Sequence, residues 1–349
     1  MNGFRYYLTV ILDFAVILAI LAIALSCILD VRPASAQEAP PEPGAELEAE
    51  RGNFEEPQVL QRGPVHEAFA EPFAAAAKDE AIAVVAARPP EPVEEVPPEI
   101  RPEGDNVHWI PGYWMWSVDR EDFVWVSGIW RQFPPNRQWI AGYWEEANGG
   151  FRWISGYWAA ADAADPQFLP EPPATLEVGP NQPAPSVNHF WIPGCWTWND
   201  ASYAWRPGYW YLGQANWIWI PHRYVYTPRG YVFVPGYWDY PIHRRGLLFA
   251  PVYWHRPLIA WHHLRYIPRH VINIGGLLGN LFVHPRYNHY YYGHFDPLLR
   301  RQHGLQAWFE LNYHGRGGGL RSYDPLLAYH SWIHARRNPH WLGDFQRDF

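Results

Sequence analysis

Residues 108–116 read His-Trp-Ile-Pro-Gly-Tyr-Trp-Met-Trp, and residues 190–198 read Phe-Trp-Ile-Pro-Gly-Cys-Trp-Thr-Trp. Their shared hexapeptide decides the fold because it recurs along the chain. It appears as WIPGYW at Trp109, WVSGIW at Trp125, WIAGYW at Trp139 and WISGYW at Trp153. After a break come WIPGCW at Trp191, WRPGYW at Trp205, FVPGYW at Phe233 and a decayed FAPVYW at Phe249. A copy without the glycine and the final Trp, WIPHRY, begins at Trp219. The steps are sixteen, fourteen and fourteen residues, then fourteen, fourteen, fourteen and sixteen. Such a period is too short for a helical hairpin and fits one short strand plus one turn. The intervals agree: Asn148-Gly149-Gly150, Pro134-Pro135-Asn136 and Pro228-Arg229-Gly230 are turn signals.

The glycine has a steric reason. Without a side chain it leaves a slot where a ring from the neighbouring strand can lie on the backbone. Gly112, Gly128, Gly142, Gly156, Gly194, Gly208 and Gly236 are therefore expected to sit under aromatic rings. Period-two alternation puts Trp109 with Tyr113 on one face, and Ile110 with Trp114 and Trp116 on the other. Both faces carry rings, so both are covered or one is an aromatic binding surface. Proline in the third position of several copies donates no ladder hydrogen bond and can reset that parity. The expected fold is mainly β: an antiparallel meander in two blocks, residues 107–158 and 189–256, as two packed sheets or one curved sheet. The Pro/Ala-rich residues 159–188 link the blocks, whose similar openings suggest an internal duplication.

These hexapeptides resemble the YXWGXW (WXXGXW) repeats of bacterial proteins. The segment Arg62-Gly63-Pro64-Val65-His66-Glu67-Ala68-Phe69-Ala70 is similar to one in a group of uncharacterised exported proteins that carry such repeats. The resemblance implies no activity. The copies at Trp219 and Phe249 depart from its pattern, so the sheet is expected to be less regular there.

Composition fits this reading. Twenty-two Trp and 22 Tyr accompany 36 Pro and 28 Gly in 349 residues, which favours short strands and many turns over helices. The amino-terminal residues 1–36 combine Arg5, an apolar run over residues 14–28 and Ala34-Ser35-Ala36, the pattern of an export signal cleaved after Ala36. The rival is an uncleaved anchor over residues 8–29, and Ala24-Leu25-Ser26 is a poor lipidation context for Cys27. The chain is expected to be exported to the periplasm, the cell envelope or the exterior. Residues 37–106 are rich in Glu and Pro, and read as a largely disordered acidic stem. A mature chain keeps one cysteine, Cys195, so no internal disulfide is expected.

Beyond Asp239 the formal net charge of −8 conceals a reversal. Arg244, Arg245, Arg256, Arg265, Arg269, Arg286, Arg300 and Arg301 come there with few acids and are expected to form a basic surface, and residues 257–349 are a basic region rich in His and Tyr. Asp-Pro-Leu-Leu occurs at Asp296 and Asp324. Asp as cap and Pro at the first turn start a helix, expected over residues 325–337.

No metalloprotease, nucleophile-elbow or phosphate-loop pattern occurs. His262-His263, His289 and His294 have no standard zinc spacing, and no facing carboxylate pair is nominated. Cys195 occupies a variable packing slot of its hexapeptide. The expectation is a protein that is not an enzyme and has no metal or cofactor: a structural or interaction protein of the cell envelope. The alternative is a carbohydrate-binding module that stacks glycans on Trp114, Trp130, Trp144, Trp158, Trp196, Trp210 and Trp238. An outer-membrane barrel is disfavoured by short, proline-broken units. Candidate partners are an envelope polysaccharide or another envelope protein, not nucleic acid; membrane contact requires an uncleaved amino terminus.

Overall fold

Inside each hexapeptide the strand breaks at its centre. Proline, where present in the third position, has no N–H for the ladder, and the following glycine lets the chain bend. In a computed structural model, which describes residues 56–72, 83–163, 165–255, 265–284, 287, 289–310 and 323–349, Val107–Ile110 ends before Pro111-Gly112 and Tyr113–Ser117 begins after it. The next copy breaks likewise between Asp122–Val126 and Ile129–Gln132. The two copies then fold back on each other. Trp109 pairs with Trp130 and Trp114 with Trp125, in antiparallel register. Two hexapeptides thus make one kinked hairpin, hairpin 1.

Three more hairpins repeat the plan. Hairpin 2 pairs Trp139 with Trp158 and Trp144 with Trp153. Hairpin 3 pairs Trp191 with Trp210 and Trp196 with Trp205. Hairpin 4 pairs Trp219 with Trp238 and Tyr224 with Phe233. The turns are tight; in hairpin 3 Asp200 and Ala201 both take positive φ, 44° and 64°, the conformation a two-residue hairpin turn demands. The fold is mainly β and antiparallel, as the period implies. The meander is divided, however: among the described residues no ladder joins one hairpin to the next, and the outer edges that are paired take short strands from outside the hairpins. The decayed copy has no partner. Its flanks, Gly246–Leu248 and Val252–Tyr253, lie instead as a third strand on the second half of hairpin 1.

The stem departs furthest from the sequence reading. Its mean composition predicts a solvated spacer, yet residues 56–72 and 83–106 are built into the fold. Val65 and Phe69 are fully buried, and His66, Glu67 and Ala68 nearly so. Full burial of Val65 and Phe69 is worth about 1.5–3 kcal/mol each, enough to dock a short segment whose neighbours are polar. The core cluster joins them to Ile110, Ile129, Trp158, Leu248, Tyr290, Trp308, Leu326 and Leu327. Two buried arginines fasten the same segment. Arg131 donates through Nε to Ala68 O (2.9 Å), and Arg245 through Nη1 to Phe69 O (2.7 Å). Asp239 pairs with both guanidinium groups, at 2.6 and 3.0 Å. Arg245 therefore does not belong to the expected basic surface; it is 2% exposed.

The carboxy-terminal part adds a four-stranded sheet of Gly63–Pro64, His289–Tyr292, Leu281–His284 and Gln306–Ala307. Among the described residues it also adds three α-helices: α1 (Pro297–His303), α2 (Pro325–Ala335) and α3 (Trp341–Asp348). Asp296 caps α1 through Leu298 N and Leu299 N, and Asp324 caps α2 through Leu327 N, as the Asp-Pro pairs predict. Helix α2 packs against hairpins 3 and 4. No helix among the described residues is long and apolar enough to cross a membrane. The expected export signal, residues 1–36, lies outside the described residues.

Candidate functional site

The kink leaves a problem at the centre of every hairpin. The glycine N–H of each copy falls outside the ladder, and a buried donor without an acceptor costs about 1–3 kcal/mol. A ring from the opposite copy closes one side. A Cβ at Gly128 would lie 2.5 Å from Trp109 Cζ2, and one at Gly112 2.7 Å from Trp125 Nε1. The same close approach relates Gly142 to Trp153, Gly156 to Trp139, Gly194 to Trp205, Gly208 to Trp191 and Gly236 to Trp219. The first Trp of each copy thus seals the glycine of its partner, the slot expected from the sequence. Cross-strand Trp pairs meet edge to face, with centroids 5.2–5.6 Å apart in hairpins 1 and 3 and in the Trp144–Trp153 and Trp219–Trp238 pairs.

In hairpins 1 to 3 the acceptor comes from outside the repeat. In hairpin 1 it is Glu95, whose carboxylate accepts from Gly112 N (2.7 Å), Gly128 N (2.9 Å) and the Trp125 indole (3.0 Å). In hairpin 2 it is Glu67, accepting from Gly156 N (3.0 Å) and the Trp153 indole (3.1 Å). In hairpin 3 it is Glu177, held by Gly194 N and, at 3.2 Å, by the Trp191 indole. Hairpin 4 uses no glutamate. Its first copy carries His222 where the others carry glycine, and the His222 imidazole accepts from Gly236 N at 3.1 Å. Burial and the adjacent Arg206 lower His222 to about 4, so a neutral ring is available as acceptor. Trp219 Nε1, with no carboxylate beside it, is buried without a hydrogen-bond partner.

Glu95 and Glu177 arrive on extended proline-rich segments, here called straps. Strap 1 runs through Pro89-Pro90-Glu91-Pro92-Val93-Glu94-Glu95-Val96-Pro97-Pro98, and strap 3 through Pro170-Glu171-Pro172-Pro173-Ala174-Thr175-Leu176-Glu177-Val178-Gly179-Pro180 to Gln182. Each glutamate stands fourteen residues ahead of its block's first Trp and begins Glu-Val-x-Pro. In hairpins 1 and 3 the final Trp residues of the two copies grip the strap on both sides of that glutamate. Trp114 donates to Glu91 O (2.9 Å) and Trp130 to Pro98 O (3.3 Å). Trp196 donates to Ala174 O (2.9 Å) and Trp210 to Gln182 O (3.0 Å). Equivalent indoles hold equivalent sides, so both straps lie in the same direction.

The seven Trp residues nominated by the sequence therefore divide. Trp114, Trp130, Trp196 and Trp210 are the strap-gripping indoles. Trp144 donates to Trp114 O (2.8 Å), Trp158 is buried under Arg131, and Trp238 packs against Phe190 and Tyr211. They do not form one continuous row. The residues missed in the sequence are Glu67, Glu95, Glu177 and His222, although the repeated Glu-Val-x-Pro at a constant distance from Trp is a readable signal for two of them.

Histidines around Glu67 are occupied in the same structural way. His66 Nε2 donates to Pro111 O (3.1 Å) while Nδ1 accepts from Ala68 N (3.1 Å). His289 Nδ1 donates to Tyr287 O (2.6 Å), and Nε2 accepts from the Tyr113 hydroxyl (2.8 Å). Burial lowers His66 to about 3 and His289 to about 4, and raises Glu67 to about 8, with Glu71 adding to the rise. Burial likewise lifts Glu95 above the usual carboxylate range. Among the described residues no group of three or more His, Cys, Asp or Glu side chains is placed to hold a metal ion. Burial raises the Cys195 thiol, which makes it a weaker nucleophile.

Comparison with known proteins agrees with this geometry. A family model described as the WXXGXW repeat matches residues 104–131, 139–159, 187–210 and 215–239, one stretch for each hairpin. No curated protein and no solved structure matches the chain. The chain carries WXXGXW repeats, and consecutive repeats close on each other in pairs.

Proposed function

We propose that this protein is a non-catalytic structural or interaction component of the bacterial cell envelope. One observation carries the interaction part: hairpins 1 and 3 each hold an extended peptide segment by two indoles and a glycine-bound carboxylate. The acids and imidazoles that could have served chemistry are committed instead. Glu67, Glu95, His66 and His289 bind backbone groups and ring donors within the chain. The envelope part rests on the amino-terminal export pattern. The test is co-sedimentation of the purified chain with isolated envelopes across a salt series. Saturable pelleting supports the reading. Absence of pelleting at every salt concentration removes the envelope, and a hydrolytic activity lost on a point mutation removes the non-catalytic role.

A second reading has a specific observation behind it. Tyr209 and Tyr211 are 42% and 37% exposed, on alternate positions of one strand of hairpin 3, and such rings can stack on sugars. Quenching of Trp fluorescence by envelope glycans, lost on Tyr209→Ala with Tyr211→Ala, is the expected signature of this alternative; no response to any glycan removes it.

A further inference from the structure

The two straps are not equally fixed. Glu94–Glu95 of strap 1 is also a strand, paired with Arg265–Tyr266 on its other side, so it is held from two directions. Strap 3 has no ladder partner among the described residues. Of residues 171–183 only Pro172, Glu177 and Gly179 are buried, and most of the others are exposed. Side chains and main chain of hairpin 3 hold it at Pro170 through Tyr203, at Ala174 through Trp196, at Glu177 through Gly194 and Trp191, and at Gln182 through Trp210. A cavity of about 690 Å³ opens beside its distal half. Its lining includes Pro180 and Val187, Trp191 and Trp210 of hairpin 3, and Leu327 and Trp332 of α2. That volume falls in the range of ordinary ligand sites, next to a segment that side chains hold without a strand ladder.

We propose that hairpin 3 is a docking site for a partner polypeptide whose recognised element is an extended, proline-rich segment with a glutamate followed by Val-x-Pro, and that residues 170–182 are its occupant in cis. This rests on the interaction reading above and names the partner's chemistry. The specificity has clear sources. Proline keeps the segment extended before it binds, so little chain entropy is lost. The glutamate is read by a backbone N–H and an indole N–H, which favour a charged acceptor. The indoles of Trp196 and Trp210 read main-chain carbonyls and are indifferent to side chains. The cavity has room for an apolar residue beyond the proline. Hairpin 4 offers no such site, because the His222 side chain fills the position where a glutamate would enter.

The cis strap competes with any partner at the millimolar effective concentration of a short tether, so the test weakens it first. The full chain carrying Glu177→Ala is titrated in a calorimeter with a synthetic peptide of residues 168–184. One-to-one binding is expected. It should be at least tenfold weaker for the peptide with its glutamate changed to alanine, and lost when Gly194→Ala is added to the chain. The unmutated chain should bind the peptide at least tenfold more weakly than the Glu177→Ala chain. Should that variant not fold, as judged by the near-ultraviolet circular dichroism of its Trp pairs, Glu177→Gln replaces it with the same expectations. No binding to a folded variant, or equal binding of the two peptides, overturns the proposal. A dimer of the unmutated chain that the peptide dissociates would assign the site to a second copy and overturn the separate partner. Envelope pelleting is read independently: losing it while peptide binding persists removes only the envelope assignment.

Discussion

Replacing Glu95 by alanine removes one side chain and strands three donors. The Gly112 N–H, the Gly128 N–H and the Trp125 indole lie 2.7, 2.9 and 3.0 Å from the carboxylate. Gly128 and Trp125 are buried, while Gly112 is half-buried and can recover a water. A hydrogen bond to a charged group is worth about 1.5–3 kcal/mol net. Part of the total is already spent on burying the carboxylate, which is why it titrates above its usual range. The expected loss for Glu95→Ala is therefore about 2–4 kcal/mol. Glu95→Gln should lose less, since the amide keeps one acceptor oxygen but turns an NH₂ toward the remaining donor. The neighbouring residue is the control. Glu94 pairs with Arg265 at 3.2 Å, but both side chains are well exposed, 59% and 69%, so Glu94→Ala should cost no more than about 0–1 kcal/mol. Urea denaturation followed by near-ultraviolet circular dichroism reads all three. If Glu95→Ala is as harmless as Glu94→Ala, the glycine-window argument fails.

His222→Gly would restore the repeat pattern in hairpin 4, yet it removes the acceptor for Gly236 N. It should destabilise by about 1–3 kcal/mol, whereas a stabilised variant in thermal melts would refute the role given to His222. Asp239→Ala leaves the buried Arg131 and Arg245 uncompensated and should cost about 3–5 kcal/mol; a loss below about 1 kcal/mol on urea titration would mean the pairs are solvated. Stability should also depend on pH from both sides. Glu67 at about 8 and Glu71 at about 7 lie above their unfolded value of 4.5, so their contribution is full below that value and fades as pH rises through 7–8. His66 and His289, at about 3 and about 4, lie below their unfolded value of 6.5, so their contribution is present above it and fades on acidification. Between pH 4.5 and 6.5 the two trends offset, so the melting temperature should be highest and nearly flat there and fall above that window, and Glu67→Gln should flatten the alkaline limb; a melting temperature that climbs steadily from about pH 6 to 8 would contradict the burial of Glu67.

Much of this architecture is legible in the chain because its strongest signals are local. The fourteen-residue step, the Asn148-Gly149 and Arg229-Gly230 turns and the two Asp-Pro caps each act within a few residues, and each is found where the pattern puts it. The glycine slots follow from steric size alone. What the pattern hides is long-range. Strand alternation run straight through Trp109 to Trp114 ignores the break at Pro111-Gly112, and so misses that two copies make one hairpin. Averaged composition makes residues 37–106 look like a solvated stem, although Val65, Phe69 and Glu95 need only the hairpins' surface, not a core of their own. Glu67 lies 72 residues before Trp139, and nothing local ties it to hairpin 2. Arg245 reads as surface charge because its partner Asp239 precedes the basic run and Arg131 lies in another block.

The central claim is that at the heart of each hairpin at least one glycine N–H bonds to a side-chain acceptor, a glutamate carried in from outside the repeat in hairpins 1 to 3 and His222 in hairpin 4. Amide hydrogen exchange by NMR on the isotope-labelled chain measures this directly. Gly112, Gly128, Gly156, Gly194 and Gly236 should be protected, Gly149 at an open turn should exchange quickly, and Glu95→Ala should release Gly112 and Gly128 while leaving Gly156, Gly194 and Gly236 protected. If Gly112 and Gly128 exchange as fast as Gly149 in the unmutated chain, or stay protected without Glu95, the account is wrong.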